Sequence, residues 1–218
     1  MVATSLPCLA AGRVSRVNID DLRPDQFVIG QRYVDAKSRL IGKMSKHERE
    51  KYLESRPIPA IRGFDGQSYM LDHHHLARAV AEAGYGHVYV RIIHDWSHEG
   101  LSKSEFWDRM KREGFVYLRD ENNRLRRVED LYQNIEDLKD DPYRSLAGAV
   151  RDAGGFRKTK TPFTEFIWAN YFRKKISRDV LKNHWKKALK IAHALAEAPD
   201  ANDLPGYRGQ TCRDLFAK

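Results

Sequence analysis

The sequence predicts an α+β fold, with a small mixed α/β core over residues 13–98, a mainly helical region over 99–198 packed on it, and a C-terminal tail over 199–218. Three observations carry this. VSRVNI (14–19) alternates apolar and polar residues with the period of a strand. Two short apolar segments meet around Asp65-Gly66 and are followed by a helix-forming run and the strand-like VYVRII (88–93). From Pro162 to Ala198 the apolar spacing is helical.

Taken in order, strand 14–19 leads into DDLRPDQ, a turn-like loop. QRYVDAKSRLIGKM (31–44) places Tyr33, Val34, Leu40, Ile41 and Met44 at helical spacing, and Ser45 with Glu48 forms a capping-box pattern for a second short helix. PIPAIRGFDGQSYML (57–71) reads as a hairpin, since Asp-Gly enters a tight turn readily. The run 73–82, HHHLARAVAE, is helical with Leu76, Ala79, Val80 and Ala83 on one face, stopped by Gly84 and Gly86, and a buried strand follows at 88–93. Ser102 and Glu105 open a helix through Arg112, and FVYLRDENNRLRRV suggests a hairpin around Asn122-Asn123. Residues 131–153 read as mostly helical, Thr161-Pro162 opens a helix through 176, and 177–198 reads as one further helix ending before Pro199.

With 218 residues, 41% of them hydrophobic, the chain has ample core-forming capacity, and its formal charge of +9 would draw polyanions, either nucleic acid or smaller phosphorylated ligands. The apolar stretches are far too short for a membrane span, and the N-terminal segment lacks a basic signal-peptide region, so the expectation is an unexported, cytoplasmic chain without a membrane partner. Cys8 and Cys212 make neither a disulfide framework nor a zinc site. Walker, Gly-x-Ser-x-Gly and HExxH motifs are absent, which sets those enzyme classes aside.

The chemistry concentrates in DHHH, residues 72–75, where a strand hands over to a helix. Consecutive side chains cannot share a helix face, but wrapped around a first helical turn they can surround one anion, which the free N–H groups and the helix dipole favour. Asp72 could accept a proton or hold a metal, and suits an N-cap as well. His74 and His75 would donate to phosphoryl oxygens, and His73 is a further ligand contact. Lys37, Lys43 and Arg78 are candidate phosphate contacts, with a solvated helix face as the plain reading of the lysines. Asp72, His94, Asp95 and His98 supply enough donors for a divalent metal if the fold converges them. In the basic stretch 171–190, Tyr171, Phe172 and Trp185 interleave with lysines and could track a nucleic-acid backbone, although aromatics so spaced usually belong to a core.

The series V-x-I, IGQRYVDAK and RPIPAIRGFDGQSYMLDHHHLARAVAEAG-x-x-x-VYVRIIHDW resembles the ParB/sulfiredoxin-like superfamily over roughly residues 13–96, most closely its ParB-like nuclease branch, whose companion region FWDRMKREGFVYLRD and TPFTEFIWANYF resemble. The resemblance implies a ligand whose phosphates rest at the helix after the second hairpin strand. In partition proteins of this superfamily a Gly-Glu-Arg-Arg run there binds a cytidine nucleotide, whereas sulfiredoxins and free-serine kinases bind an adenine nucleotide. The kinases carry Asp-Gly-His-His-Arg, so Asp72 matches the base, His74 and His75 the two histidines, His73 replaces the glycine and Leu76 the arginine. The resulting expectation is an enzyme that binds a nucleotide (ATP, ADP or CTP) or another phosphorylated molecule, with Mg²⁺ or another divalent ion, and transfers or hydrolyses a phosphoryl or phosphodiester group. The alternative is a non-enzymatic, partition-type nucleotide switch that binds DNA. Oligomeric state is not legible.

Overall fold

A computed structural model describes Gly12 and residues 14–209 of the chain. Its described residues divide into two compact units: the first holds those up to Gln26, Asp35–Leu118 and Arg127–Leu138, the second Phe27–Val34, Arg119–Arg126 and those from Lys139 to Gly209. The helical segment Lys103–Arg112, past the boundary read at residue 98, falls in the first unit, and the second takes short segments from both earlier stretches. The α+β class holds, with a mixed sheet and several helices.

The first unit is built on a five-stranded sheet in the order β1-β6-β4-β5-β2. Strand β1 (Val14–Asn18) pairs antiparallel with β6 (His87–Asp95), which runs parallel to β4 (Ile58–Arg62). Antiparallel to β4 lies β5 (Ser68–Met70), and parallel to β5 lies β2 (Leu22–Arg23). The hairpin turns at Asp65-Gly66 as expected, with Gly66 at φ 75° and the Asp65 carboxylate accepting from the Gln67 N–H at 3.0 Å. Strand β2, by contrast, lies inside the segment read as a loop. It is two residues long, too short to show an alternation, and exists because β5 supplies its partner groups. Strand β6 buries only Val88 and Val90, so it alternates rather than being buried throughout.

Helices α1 (Gln31–Gly42) and α2 (Lys46–Glu54) form as predicted, α2 behind a complete Ser45/Glu48 capping box. Helix α3 (His74–Glu82) follows β5 and buries Leu76, Ala77, Ala79 and Val80. Helix α4 (Lys103–Arg112) opens on the Ser102/Glu105 box and buries Phe106, Trp107 and Met110. Phe106 packs against Tyr69 at 4.7 Å and Trp107 at 5.0 Å, an aromatic cluster at one end of the sheet.

The second unit pairs β3 (Val28–Ile29) with β7 (Lys139–Asp140) and adds helices α5 (Pro142–Asp152), α6 (Thr164–Arg173), α7 (Arg178–Asn183) and α8 (Trp185–Glu197). Four expectations fail here in detail. Residues 131–141, which lie in the first unit as far as Leu138, hold one 3-10 turn (Ile135–Asp137) and β7, and the α-helix begins only at Pro142, whose missing N–H costs nothing at the first position. The hairpin at Asn122-Asn123 reduces to a single bridge, Arg119 to Leu125. Helix α6 starts at Thr164 because Phe163, at φ 55°, leaves the helical region between it and Pro162. The segment 177–198 breaks at His184 (φ −136°, ψ 53°) into α7 and α8.

The core of this unit joins Leu146, Val150, Phe156, Trp168 and Phe172 to Ala188, Ala192 and Ala196, small residues that let α8 lie close. Phe156 stacks on Trp168 at 4.4 Å and 9°. Part of the predicted tail is seated too: a 3-10 turn at Pro199–Ala201 packs in this core, and the Pro205 carbonyl accepts from Trp168 Nε1 at 2.8 Å. The remainder of the tail, beyond residue 209, lies outside the described residues, as do Cys8, Cys212 and Arg13.

Candidate functional site at the start of helix α3

The parallel pairing of β2 with β5 sets Leu22 beside Ser68 and Arg23 beside Tyr69. Both strands therefore end at the same edge of the sheet, the side on which parallel strands commonly present ligand-binding loops. Two residues past β2 stands Asp25, and four past β5 stands His74. His74 Nε2 lies 2.8 Å from Asp25 Oδ1, with His74 3% exposed and Asp25 fully buried. The two groups lie close without an aligned hydrogen bond: His74 Nε2 and both Asp25 carboxylate oxygens are buried without a hydrogen-bond partner of good geometry. Burial pushes the Asp25 carboxyl above the usual carboxylate range, opposed by the charge of His74. The Asp25 backbone is pinned by its carbonyl, which accepts from the Tyr117 N–H at 3.1 Å.

The DHHH run spans the strand-to-helix junction as expected, but His74, read as a phosphate contact, turns inward to Asp25 instead. The residue at the helix entry is His73, held in the left-handed region at φ 65°, and its side chain makes no capping hydrogen bond. Asp72, exposed, is not the cap: its Oδ1 accepts from the His73 N–H at 2.6 Å. His73 is half-buried with its Nδ1 buried and unpartnered. His75, one step into the helix, is half-buried. The carbonyl of His73 accepts from the N–H groups of Leu76 (2.8 Å) and Ala77 (3.0 Å), so α3 is well formed immediately after the strained residue.

Arg78 lies one turn on, but its guanidinium donates to Glu82 at 2.7 Å and to the carbonyls of Ile135 and Glu136, tying α3 to a 3-10 turn. Lys37 is half-buried on α1 and Lys43 is exposed just beyond that helix; among the described residues no hydrogen bond or ion pair joins either to the DHHH run.

The four metal candidates do not converge. Leu71 donates to the Pro59 carbonyl and Pro59 lies beside Arg91, whereas His94 and Asp95 lie beside Ile61 and Arg62. Asp72 thus leaves the sheet at one end and His94 and Asp95 at the other, about 13 Å apart along the strand direction. His94 stacks on Trp96 at 5.8 Å. Asp95 closes a turn, accepting from Ser97 Oγ at 2.6 Å and from its N–H at 3.1 Å; the Ser97 hydroxyl holds its carboxyl below the usual range. His98 is exposed in that turn. Among the described residues no group of three or more His, Cys, Asp or Glu side chains could hold a metal ion, and none of the helices is long and apolar enough to cross a membrane.

Sequence reasoning missed Asp25. Its local setting, Arg-Pro-Asp-Gln, carries a turn signal and nothing that marks burial. Its partner is 49 positions away.

A family model described as "Putative ParB-like nuclease" matches residues 15–174, well over half the chain. Among solved structures, protein Atu1540 from Agrobacterium tumefaciens is 39% identical, with a TM-score of 0.84 over 91% of this chain and 98% of that one. The C-terminally truncated chromosome-partitioning protein ParB from Caulobacter crescentus, complexed with CTP-gamma-S, aligns over 87% of this chain and 94% of that one at 12% identity with a TM-score of 0.30. No curated protein matches this chain. The extent of the family match and the identity to the Agrobacterium protein place the chain in the ParB-like nuclease family.

Proposed function

We propose that the chain binds a phosphate-bearing ligand at the start of α3 and transfers or hydrolyses its phosphoryl or phosphodiester group. The observation that carries this reading is the buried Asp25–His74 pair at a helix start whose entry residue, His73, makes no side-chain capping bond. Taking two ionisable groups out of water costs stability that an apolar pair would not, and perturbed groups of this kind concentrate at functional sites. An anion at the first turn of α3 would meet the helix dipole and the N–H groups there.

The roles follow from exposure. Asp72, exposed beside this turn, serves as base and takes the proton of an attacking water or hydroxyl. The oxygen of that water or hydroxyl forms the new bond to phosphorus, the bond to the leaving oxygen breaks, and the leaving oxygen takes a proton from solvent or from His75. His75 and His73, both half-buried, donate hydrogen bonds to the phosphoryl oxygens. His74 is a positioning residue, since its ring faces Asp25 and not solvent. A nucleotide is the ligand class to try first, and a divalent ion would arrive with its phosphates, because the chain's own acids and histidines do not assemble one among the described residues.

The test pairs binding with turnover. Wild type and Asp72→Asn are incubated with ATP, ADP, CTP and a phosphodiester duplex, with and without Mg²⁺, and followed by thermal shift and product analysis. One ligand is expected to raise the unfolding temperature of both proteins and to be turned over by wild type alone. No shift and no product with any of them would overturn the reading.

A further inference from the structure

The second unit holds a charge pattern that folding does not explain. Between Tyr171 and Lys190 there are eight basic residues and one acidic one, Asp179, giving +7 of the chain's formal +9. Some of these cations have structural work: Arg173 pairs with Asp141 at 2.6 Å, and Lys175 with Asp200. Lys182, Lys186, Lys187 and Lys190 are different. All are exposed, and among the described residues none has an ion pair or side-chain hydrogen bond.

Their placement runs against the helix they belong to. Lys186 and Lys187 occupy the first turn of α8, which has no acidic residue there and no side-chain cap, while Glu197 sits at the other end. A helix prefers the opposite arrangement. Lys186 and Lys190 are four apart and Lys187 and Lys190 three, so like charges also face one another. Arg32 adds to the same corner, its exposed guanidinium lying 4.0 Å over the Trp185 ring. Arg178, one turn before Lys182 on α7, donates to Asn122 at 3.2 Å and so joins this corner to the turn that carries the exposed Arg124.

The aromatics interleaved with these lysines do not form a base-stacking platform. Phe172 is in the core, Tyr171 donates to the Leu195 carbonyl and to Asp200, and Trp185 lies beneath Arg32. What remains on the surface is positive charge alone, which suits a repeating array of phosphates whose bases are already paired.

We infer that the α7–α8 corner, built from Lys182, Lys186, Lys187, Lys190 and Arg32, is a docking surface for the phosphate backbone of double-stranded nucleic acid, bound without regard to sequence. This inference is independent of the reading of the α3 site.

It is tested on the full chain by fluorescence anisotropy with a duplex DNA oligonucleotide between 50 and 200 mM salt. The triple variant Lys182→Ala/Lys186→Ala/Lys187→Ala is compared with Lys46→Ala/Lys51→Ala/Lys103→Ala, which removes the same charge from the first unit, and circular dichroism checks that both fold. Each lost phosphate contact lowers the slope of log K against log salt by about 0.9, so the first triple should flatten it by about 2 to 3 and weaken binding tenfold or more. The control triple and Asp72→Asn should keep wild-type affinity, and single-stranded DNA of equal length should bind more weakly. Equal losses in the two triples, an unchanged slope, or binding of phosphatidylserine vesicles in place of DNA would overturn the inference. Loss of turnover in Asp72→Asn with DNA affinity retained separates this surface from the α3 site.

Discussion

His74 and Asp25 meet at 2.8 Å inside the first unit, where two parallel strands end side by side. Removing one partner strands the other in the interior, a loss of about 3–5 kcal/mol for buried pairs. Asp25→Ala and His74→Ala should each destabilise by that order in urea titration, and the double variant by clearly less than their sum. Additive losses would mean the two groups do not interact.

The same pair sets a pH dependence. The carboxyl of Asp25 is raised by burial above its ordinary 3.8, so the folded state holds that proton more tightly than the unfolded chain. Its contribution to stability is complete below pH 3.8 and is lost as pH rises through the raised folded value. Asp25→Asn cannot titrate, so the unfolding temperature of wild type minus variant should be largest at the acid end and shift in the variant's favour toward neutral pH. A flat difference across pH 3.5–8 would contradict the assignment.

His73 holds φ 65° without being glycine. Such a conformation costs a non-glycine residue of the order of 1 kcal/mol. His73→Gly is therefore expected to raise stability by up to about 1 kcal/mol while weakening the ligand found by thermal shift. A gain in stability with unchanged ligand affinity would confine His73 to a backbone role.

At Asp72 the expectation is reversed. An exposed side chain whose one described bond is to the adjacent N–H contributes little to folding. Asp72→Asn should keep the wild-type urea midpoint and lose about 10²–10⁴ in turnover if it is the base. A variant that turns over normally would remove Asp72 from the chemistry.

In the second unit, Asp141 caps α5 by accepting from the Tyr143 N–H at 3.0 Å and pairs with Arg173 at 2.6 Å. Asp141→Ala loses the cap and leaves the Arg173 guanidinium, little exposed, without its carboxylate, at an expected cost of about 3 kcal/mol or more by denaturant unfolding. Arg173→Met keeps the cap but strands the buried Asp141 carboxylate, and should cost about 3 kcal/mol as well.

The local pattern of the chain determined a good deal by itself. The Ser45 and Ser102 capping boxes, the Asp65-Gly66 hairpin and the apolar face of α3 rest on contacts within a few residues, and those elements form where the sequence places them. The strand-to-helix position of DHHH was legible for the same reason, and the motif series carried the family. Elements without a local signal were not. Strand β2 is two residues held by a distant neighbour, α5 waits for Pro142, and His184 divides what periodicity makes one helix. The inner half of the site belongs with these. Asp25 becomes a buried partner only because β2 pairs with β5 across some 46 positions, and His94 and Asp95 leave Asp72 because strand direction sends them to the other end of the sheet. Sequence periodicity reports which face a residue occupies along its own element, whereas the meeting of two elements depends on long-range hydrogen-bond register, and only the tertiary structure decides that.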